Sequence, residues 1–380
     1  MPLLLNDDQQ AILDVARRFA EDRLRPRYQQ LEGYDSIIPA DILAELGQLG
    51  LIAPGNSEEH GGIALDSPTL GLILEALAEG DFNIAYIALI GSLMSQLLAK
   101  HARPHLANEW VPKIVDGTAM VGIALTEPRG GSDAANLILK AQSCDGGFIL
   151  NGEKTSITLA HCAQGFITFA RTGADGSGAK GVSAFFVPAD SEGLSKTRFR
   201  DMGGHVIGRG SLFFDDVFVP SENMLGEEGD AFSKIMHGFD FTRALLGLQC
   251  CGAAQASLKE TWQYVKEREA FGKPIGNNQG VSFPLAEGEG RLEAVRQLCL
   301  HTLRLRDAGL PHTAEAAMCK WMAPETAVDI IHRCLITHGH YGWSLDFPHQ
   351  QRLRDVIGME IGDGTEQIMK MIIARQRGKC

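Results

Sequence analysis

The spacing of apolar residues changes twice along the chain, and this pattern is the strongest constraint on the fold. From residue 7 to about 112 these residues recur every three or four positions, as Ile12, Val15 and Phe19 do, which predicts helices. From about 118 to 226 short β-rich runs alternate with turn-rich stretches, and beyond Gly226 the helical spacing returns. Short strands without helices between them predict an antiparallel sheet or small barrel rather than βαβ units. We therefore expect an α+β chain ordered helical, β and helical.

Each part of the chain predicts definite elements. The β-rich runs place strands at 120–125, 148–150, 166–170, 182–187 and 212–219. The C-terminal helices are predicted at 241–268, 279–307, 313–336 and 364–377. These elements divide the chain into domains at 1–117, 118–226 and 227–380.

Charge and cysteine content narrow the class of protein. Lys and Arg number 35 against 47 Asp and Glu, so the chain lacks the basic field that attracts nucleic acid or anionic lipid. The 8 cysteines form no C-x-x-C pair, which indicates free thiols in a reducing compartment. The most apolar stretch, 83–99, contains Gly91 and Gln96 and is typical of a core helix rather than a membrane span. The start lacks signal-peptide and transit-peptide features, so we expect a cytoplasmic protein, or a matrix protein after processing, without a membrane partner.

Most catalytic and binding motifs are missing from the sequence. It has no G-x-x-x-x-G-K-[ST], H-E-x-x-H, G-x-S-x-G or calcium loop, and no strand–G-x-G-x-x-G–helix unit. His338 and His340 lack a nearby third ligand, so no metal site is expected. Cys250 and Cys251 lie in an apolar helical stretch and are interpreted as small core residues.

The segment with the clearest chemical pattern is 124–133, ALTEPRGGSD, which directly follows a predicted strand. Hydroxyl groups and glycines placed closely after a strand end allow the backbone to approach a polar ring or a phosphate. The segment resembles the T-E-P-x-x-G-S-D motif of the acyl-CoA dehydrogenase family. Further segments resemble the family in the same order: EEHGG at 58–62, NGEKTSIT at 151–158, MG at 202–203, FDDVFVP at 214–220, LG at 225–226, REAFGKPI at 268–275 with Gln279, and GDGTEQI at 362–368.

The resemblance implies an N-terminal helical domain, a middle antiparallel β domain and a C-terminal four-helix bundle. It also implies a homotetramer with FAD between the β domain and the bundle, an acyl-CoA substrate, and electron-transferring flavoprotein as the acceptor. Carried over position by position, the FAD contacts are Leu125, Thr126, Ser132, Ser156, Thr158, Arg268, Phe271, Gln279, Thr365 and Gln367. The corresponding acyl-CoA contacts are Ser132, Asp240, Arg243 and Gly364.

The implied reaction is α,β-dehydrogenation of the thioester, in which a carboxylate removes the α-proton and the β-hydrogen leaves as hydride to the flavin. Such a base needs an apolar pocket that excludes water and raises its pKa. The family's usual glutamate is Asp363 here, and the alternative position on the long helix holds Thr242, which has no carboxylate. We therefore expect Asp363 to be the base.

Two further positions depart from the family pattern. Ser156 stands where the family usually has a flavin-facing tryptophan, and Ile336 and His340 lie in a segment that replaces the family's adenosine-contacting Q-x-x-G-G. The shorter base and the missing tryptophan leave room for an acyl group that is bulky at its α and β carbons. We therefore expect a cyclic or α-branched substrate, with cyclohexane-1-carboxyl-CoA oxidised to cyclohex-1-ene-1-carboxyl-CoA as the preferred example. Oxidation should stop there, because relatives that desaturate the ring further carry an aspartate on the helix at about 83–99, where this chain has no acid.

Two other functions are compatible with these motifs. One is a nitroalkane-oxidase-like flavoenzyme on the same fold, which also uses an aspartate base. The other is a non-catalytic flavin-binding homologue. Arg243 and Ser132 favour a CoA substrate over the first, and the carboxylate of Asp363 disfavours the second.

Overall fold

The computed structural model describes residues 5–174 and 176–378. Within these residues, the N-terminal part consists of five α-helices: α1 Asp7–Phe19, α2 Ala40–Gln48, α3 Ser67–Gly80, α4 Phe82–His101 and α5 Pro104–Val115. Side chains fix where three of them begin. Asn6 and Gln9 form a capping box at α1, and the carboxylates of Asp66 and Asp81 accept backbone N–H groups at the starts of α3 and α4. The predicted N-terminal helical domain is confirmed.

Helix α4 is the most apolar helix of this part. It is 20 residues long, enough by length and composition to cross a membrane, but 83% of its most apolar window is buried inside the protein. It packs against α3, α5 and α6. The helix therefore forms part of the core, as its interrupted apolar run suggests.

The middle part is built around a mixed sheet. Its strands are β1 Val121–Ala124, β2 Lys140–Cys144, β3 Gly147–Thr158, β4 Gly165–Arg171, β5 Val182–Pro188, β6 Leu194–Lys196, β7 Arg209–Pro220 and β8 Met224–Leu225. The order in the sheet is β6-β7-β3-β2-β4-β5-β8, and β1 pairs with β4.

The expectation of a purely antiparallel sheet is wrong in one respect. Strand β1 runs parallel to β4, and β2 also meets β4 in parallel, while the other pairs of this sheet are antiparallel. The β2–β3 hairpin lies between β1 and β4 in the chain, so β1 and β4 can run in the same direction. The period of apolar residues predicts that a strand exists but not which strand lies beside it.

The strand boundaries also need correction. The strand predicted at 148–150 extends over Gly147–Thr158, so the NGEKTSIT motif lies on β3 itself. Its pairing with β7 shifts register between Leu150 and Gly152 and between Lys154 and Ile157, which bends the strand. Strands β2, β6 and β8 were not predicted because they are short or carry few apolar residues.

The C-terminal part is helical. Its helices are α6 Ala231–Glu267, α7 Gln279–Asp307, α8 Thr313–Thr337, α9 His340–Trp343, α10 His349–Ile361 and α11 Glu366–Gly378. A short hairpin, β9 Glu269–Ala270 with β10 Lys273–Pro274, separates α6 from α7. Helix α6 packs against α7 and α8, and α8 packs against α10 and α11.

Two sequence predictions in this part are wrong. Helix α6 begins at Ala231, ten residues before the predicted start, and α11 begins at Glu366, two residues after it. Gly238 lies inside the added segment, close to Leu93 and Leu97 of α4. Packing against α4 thus compensates for the low helix propensity of glycine. The predicted boundaries of the three domains remain predictions.

Buried contacts hold the three parts of the chain together. Helices α3 and α6 approach each other closely at Gly252, where there is no room for a side chain. A Cβ at this position would lie 2.2 Å from the carbonyl oxygen of Glu75. The carboxylate of Asp355 on α10 accepts hydrogen bonds from the Tyr28 hydroxyl, the Asn83 amide and the Gly204 N–H at 2.7–2.9 Å. This one carboxylate therefore ties α10 to the N-terminal helices and to the β domain.

The cysteines add no covalent link among the described residues. Those at 144, 162, 250, 251, 299, 319 and 334 are free thiols, and all but Cys144 and Cys162 are buried. Cys380 lies outside the described residues.

Candidate active site

The predicted base lies on a tight turn between two helices. Asp363 follows the end of α10 at Ile361 and precedes the start of α11 at Glu366. Its backbone φ is 55°, in the left-handed region, and Gly364 has a φ of 103°. A Cβ at Gly364 would also lie 2.5 Å from Cε of Met369. The turn therefore needs glycine after the aspartate, and we call residues 362–365 the base loop.

The electrostatic environment of Asp363 has two opposing parts. The side chain is half-buried in the single chain, and burial raises the pKa of Asp363. The nearby cations of Lys320 and Arg243 oppose this rise in pKa. Burial is the larger effect, as expected for a carboxylate that acts as a base toward carbon.

Arg243 belongs to a buried polar group on α6 and α8. Its Nη1 donates to Oδ1 of Asp240 at 2.7 Å, and Oδ2 of Asp240 accepts from the Thr313 hydroxyl at 2.6 Å. Nε of Arg243 is buried without a hydrogen-bond partner among the described residues. Thr242 is turned into its own helix, where its hydroxyl donates to the carbonyl of Phe239 at 3.1 Å. Thr242 thus provides no alternative base.

Tyr86 of α4 is a site residue that the sequence argument did not identify. It is 7% exposed. Burial and the neighbouring Asp363 carboxylate raise the pKa of Tyr86, while a hydrogen bond with Thr158 opposes that rise. Helix α4, the end of β3 and the base loop therefore meet at one place. An apolar helix with a single tyrosine in its first turns offers only a weak signal in sequence.

The segment at 125–132 is held against β3 by a buried ion pair. Nζ of Lys154 donates to Oε1 of Glu127 at 2.8 Å and to the carbonyl of Leu125 at 3.0 Å. The N–H of Thr155 donates to the carbonyl of Thr126 at 2.9 Å. Burial lowers the pKa of Lys154 to about 8, and Glu127 opposes this change. The pair fixes the loop and leaves the Thr126 side chain half-exposed.

Comparisons with known proteins agree with this geometry. Sequence profiles described as the N-terminal, middle and C-terminal domains of acyl-CoA dehydrogenase match residues 6–118, 122–217 and 229–377. The chain is 33% identical over 375 residues to benzylmalonyl-CoA dehydrogenase of Aromatoleum aromaticum, covering 98% of both chains. The chain belongs to the acyl-CoA dehydrogenase family.

Two solved structures are similar over the full length. The butyryl-CoA dehydrogenase of Megasphaera elsdenii superimposes with a TM-score of 0.94 at 30% identity, over 99% of this chain and 100% of that one. The FAD complex of PigA superimposes with a TM-score of 0.93 at 29% identity, over 100% and 99%. Family membership confirms the predicted fold class and the predicted enzyme class, an acyl-CoA dehydrogenase-type oxidoreductase.

In this acyl-CoA dehydrogenase the side chain of Ser156 contacts Arg209, a residue that the sequence motifs did not predict to lie at the site. Its backbone φ is 59°, and its hydroxyl accepts a hydrogen bond from Nη1 of Arg209 at 2.6 Å. The same guanidinium binds both carboxylate oxygens of Asp201, at 2.6 and 3.0 Å. A guanidinium therefore lies beside the position where the family usually has tryptophan.

Three of the remaining predicted FAD contacts, Arg268, Phe271 and Gln279, lie apart from this cluster within a single chain. Arg268 directly follows the last residue of α6, and Gln279 begins α7. Phe271, at the turn of the β9–β10 hairpin, is fully exposed and has a φ of 54°. Thr365 is half-buried beside Asp363, and Gln367 is exposed on α11. The structure thus brings the base, Thr158 and Arg243 together but leaves Arg268, Phe271 and Gln279 at the surface.

The segment that departs from the adenosine-contacting pattern contains a cluster of rings. The ring of His338 is buried and stacks on Tyr264, with centroids 4.2 Å apart, and lies 4.3 Å from the ring of His349. Ile336 is 62% exposed, and His340 packs on its neighbour Tyr341. Ile336, Gly339 and His340 are therefore the exposed positions of the segment 336–340.

Proposed function

We propose that this acyl-CoA dehydrogenase oxidises an acyl-CoA thioester between its α and β carbons, with Asp363 as the proton-abstracting base. The observation that carries the proposal is the position of Asp363. It lies on a turn between α10 and α11, its pKa is raised by burial, and it faces Lys320 and Arg243. A carboxylate withdrawn from water is a stronger base toward a carbon acid. In this proposal Asp363 takes the α-proton onto a carboxylate oxygen.

The cofactor is FAD, as predicted, and the structure of PigA with FAD is similar over the whole chain. The residues present fit this group. A Cβ at Gly130 would meet nothing within 4 Å, a Cβ at Gly131 would lie 3.5 Å from Cγ2 of Thr126, and the Thr126 and Thr158 side chains are half-exposed. When bound, FAD supplies the acceptor for the β-hydrogen. The residues proposed to hold it from the β domain are Leu125, Thr126, Ser132, Ser156 and Thr158.

A second subunit completes the cofactor site in this proposal. Arg268, Phe271 and Gln279 lie at the surface of the single chain, where they are available to the FAD of a neighbour. Phe271 is fully exposed, and the family resemblance implies that this motif reaches the FAD of a neighbouring subunit. We therefore propose a homotetramer, in which Thr365 and Gln367 contact FAD beside the base.

The test of the base is the Asp363→Asn variant of the holoenzyme. Asparagine keeps the shape but cannot take a proton, so flavin bleaching by acyl-CoA under anaerobic conditions should slow by about 10²–10⁴-fold. The acyl-CoA dissociation constant should change little. The matched control is Glu366→Gln, because Glu366 pairs with Lys370 on the same helix. Near-wild-type bleaching by Asp363→Asn, with loss in Glu366→Gln, would move the base to Glu366.

The substrate is proposed to be a cyclic or α-branched acyl-CoA, with cyclohexane-1-carboxyl-CoA as the preferred example. Aspartate is one methylene shorter than glutamate, which withdraws the carboxylate from the α-carbon and leaves room there. Arg209 occupies part of the space beside Ser156, so the shorter base carries most of this argument. One relative is named benzylmalonyl-CoA dehydrogenase, and the benzyl group in this name is a ring, which supports a bulky substrate. The butyryl-CoA dehydrogenase named above supports a straight chain at similar identity.

The substrate proposal is tested by lengthening the base. Asp363→Glu fills the added room, so kcat/KM should fall for cyclohexane-1-carboxyl-CoA and rise for butyryl-CoA. A misplacement of about 1 Å costs about 10²-fold in rate, which sets the size of the expected change. If the wild type already prefers butyryl- or octanoyl-CoA, the cyclic substrate is wrong and the dehydrogenase proposal stands. Oxygen consumption with a nitroalkane instead of an acyl-CoA would favour the nitroalkane-oxidase-like alternative.

We also propose electron-transferring flavoprotein as the electron acceptor and the cytoplasm as the location. The acceptor is the one that the resemblance to the family implies. Reduction of a purified electron-transferring flavoprotein by the enzyme and its acyl-CoA tests this. Transfer to oxygen alone would contradict it.

A further inference from the structure

A buried lysine braces the base loop from a neighbouring helix. Lys320 lies on α8 and is 1% exposed. Its Nζ donates to the carbonyl of Met359, in the last turn of α10, and to the carbonyl of Gly364 at 3.2 Å. The first carbonyl lies four residues before Asp363 and the second lies one residue after it. One ammonium group therefore holds the chain on both sides of the carboxylate.

Capping of helix α10 explains only one of the two hydrogen bonds that Lys320 donates. The last carbonyls of a helix lack partners within the helix, and a lysine that binds the Met359 carbonyl would act as an ordinary C-terminal cap of α10. The Gly364 carbonyl lies beyond the helix, in the turn that carries the base. Burying an ammonium group is costly, and burial lowers the pKa of Lys320, with Asp363 as the main opposing influence. The charge that compensates this cost most is thus the base itself.

We propose that Lys320 is a positioning residue for the dehydrogenation: it fixes the base loop through the two carbonyls and places a positive charge opposite the Asp363 carboxylate. The inference rests on the proposed role of Asp363. An aspartate side chain has fewer rotatable bonds than a glutamate, so the position of its carboxylate depends more closely on the backbone of the loop. The charged and titratable groups that face Lys320 or Asp363 are Arg243 and Cys250 on α6, Glu360 on α10 and Tyr86 on α4.

The test uses the Lys320→Met variant of the FAD-loaded enzyme. Methionine keeps an unbranched apolar stem as far as the ε-carbon and removes both the charge and the two hydrogen bonds. The rate constant for anaerobic flavin reduction should fall by about 10²-fold, the effect of a displacement of about 1 Å. The dissociation constant of the acyl-CoA should stay within about threefold, because Lys320 has no proposed contact with the substrate. The pH midpoint of flavin reduction should move upward by about one unit, because loss of a nearby cation favours the protonated carboxyl.

Two further variants separate positioning from a loss of structure. Lys320→Arg keeps the positive charge, so its pH midpoint should stay near the wild-type value even where its rate falls. Arg296→Met removes another cation from the same bundle, one that pairs with Glu75 away from the base loop. It should leave the pH midpoint and the rate unchanged. A Lys320→Met enzyme with lower thermal stability but an unchanged pH midpoint would reduce Lys320 to a cap of α10 and overturn the proposal.

Failure of this proposal is distinguishable from failure of the proposed function. If Asp363→Asn bleaches its flavin as fast as the wild type, Asp363 is not the base and both proposals fall. If Asp363→Asn is inactive while Lys320→Met keeps the wild-type rate and pH midpoint, only the role of Lys320 is wrong.

Discussion

Breaking the ion pair of Lys154 and Glu127 should destabilise the β domain far more than breaking an exposed pair of the same residue types. The Lys154 side chain is fully buried and that of Glu127 is 4% exposed. Oε1 of Glu127 accepts from Lys154 and from the Leu139 N–H, both at 2.8 Å, and Oε2 accepts from the Ile138 N–H at 2.6 Å. Glu127→Gln removes the counter-charge of Lys154 and turns one acceptor into a donor. The backbone N–H of either Ile138 or Leu139 then faces the NH₂ group of the glutamine side chain and loses its acceptor.

The expected cost follows from these two losses. Removing one partner of a buried ion pair costs about 3–5 kcal/mol, and this figure includes much of the cost of the unpaired groups. The control is Glu109→Gln, which breaks the pair of Glu109 and Lys113, whose side chains are 52% and 46% exposed. Its cost should be about 0.5 kcal/mol or less.

The assay is urea unfolding followed by circular dichroism, together with release of FAD fluorescence. Glu127→Gln should release its flavin at a much lower urea concentration than the wild type, because the pair holds the carbonyl of Leu125 in the loop proposed to bind FAD. Equal shifts for Glu127→Gln and Glu109→Gln would refute the idea that burial sets the strength of this pair.

Two other variants test the electrostatics and the assembly. Burial raises the pKa of Asp81 to about 7, so between about pH 4 and pH 7 the native state holds a proton that the unfolded chain releases, and the wild type loses stability as pH rises through this window. Asp81→Asn should therefore gain stability relative to the wild type between pH 5 and pH 8 in urea unfolding, and an unchanged difference would count against a buried, protonated Asp81. Arg268→Ala should weaken FAD binding by roughly 10–100-fold in fluorescence titrations, the loss of one charged hydrogen bond, whereas Arg304→Ala at the exposed end of α7 should not. Unchanged affinity in Arg268→Ala would remove the proposed contribution of a second subunit.

The sequence predicts the order of the three parts because helices and strands each have a local period. Helices α7 and α8 match their predicted ranges to within a residue, and five strands appear where β-rich runs stand. Helix α10 was missed for a physical reason. Its buried residues include Gln351, Arg352 and Asp355, so its inner face lacks the apolar period by which a helix is predicted. The buried polar residues of α10 are held by hydrogen bonds instead of apolar contacts.

The candidate site was predicted only where a local motif carries it. Asp363, Thr158 and Arg243 each lie in a recognisable segment, and the structure brings them together. Tyr86, Arg209 and Lys320 were missed because each reaches the site through tertiary packing. Lys320 lies more than 40 positions before Asp363, in a helix whose sequence gives no reason to expect a cation at a turn of another helix. Such contacts follow from the fold and not from spacing.

The residues proposed for the chemistry are few, and buried polar groups place them. Asp355 ties α10 to the other two parts of the chain, Lys154 ties the 125–132 segment to β3, and Lys320 ties the base loop to α8. Each of these groups costs free energy to bury, and well-packed apolar residues in place of buried ionic groups are often as stable or more stable. Their shared effect is to fix backbone atoms, which apolar contacts specify poorly. Variants at Lys320 should therefore change the rate of flavin reduction more than the affinity for acyl-CoA, since they move the carboxylate rather than remove a contact with the substrate.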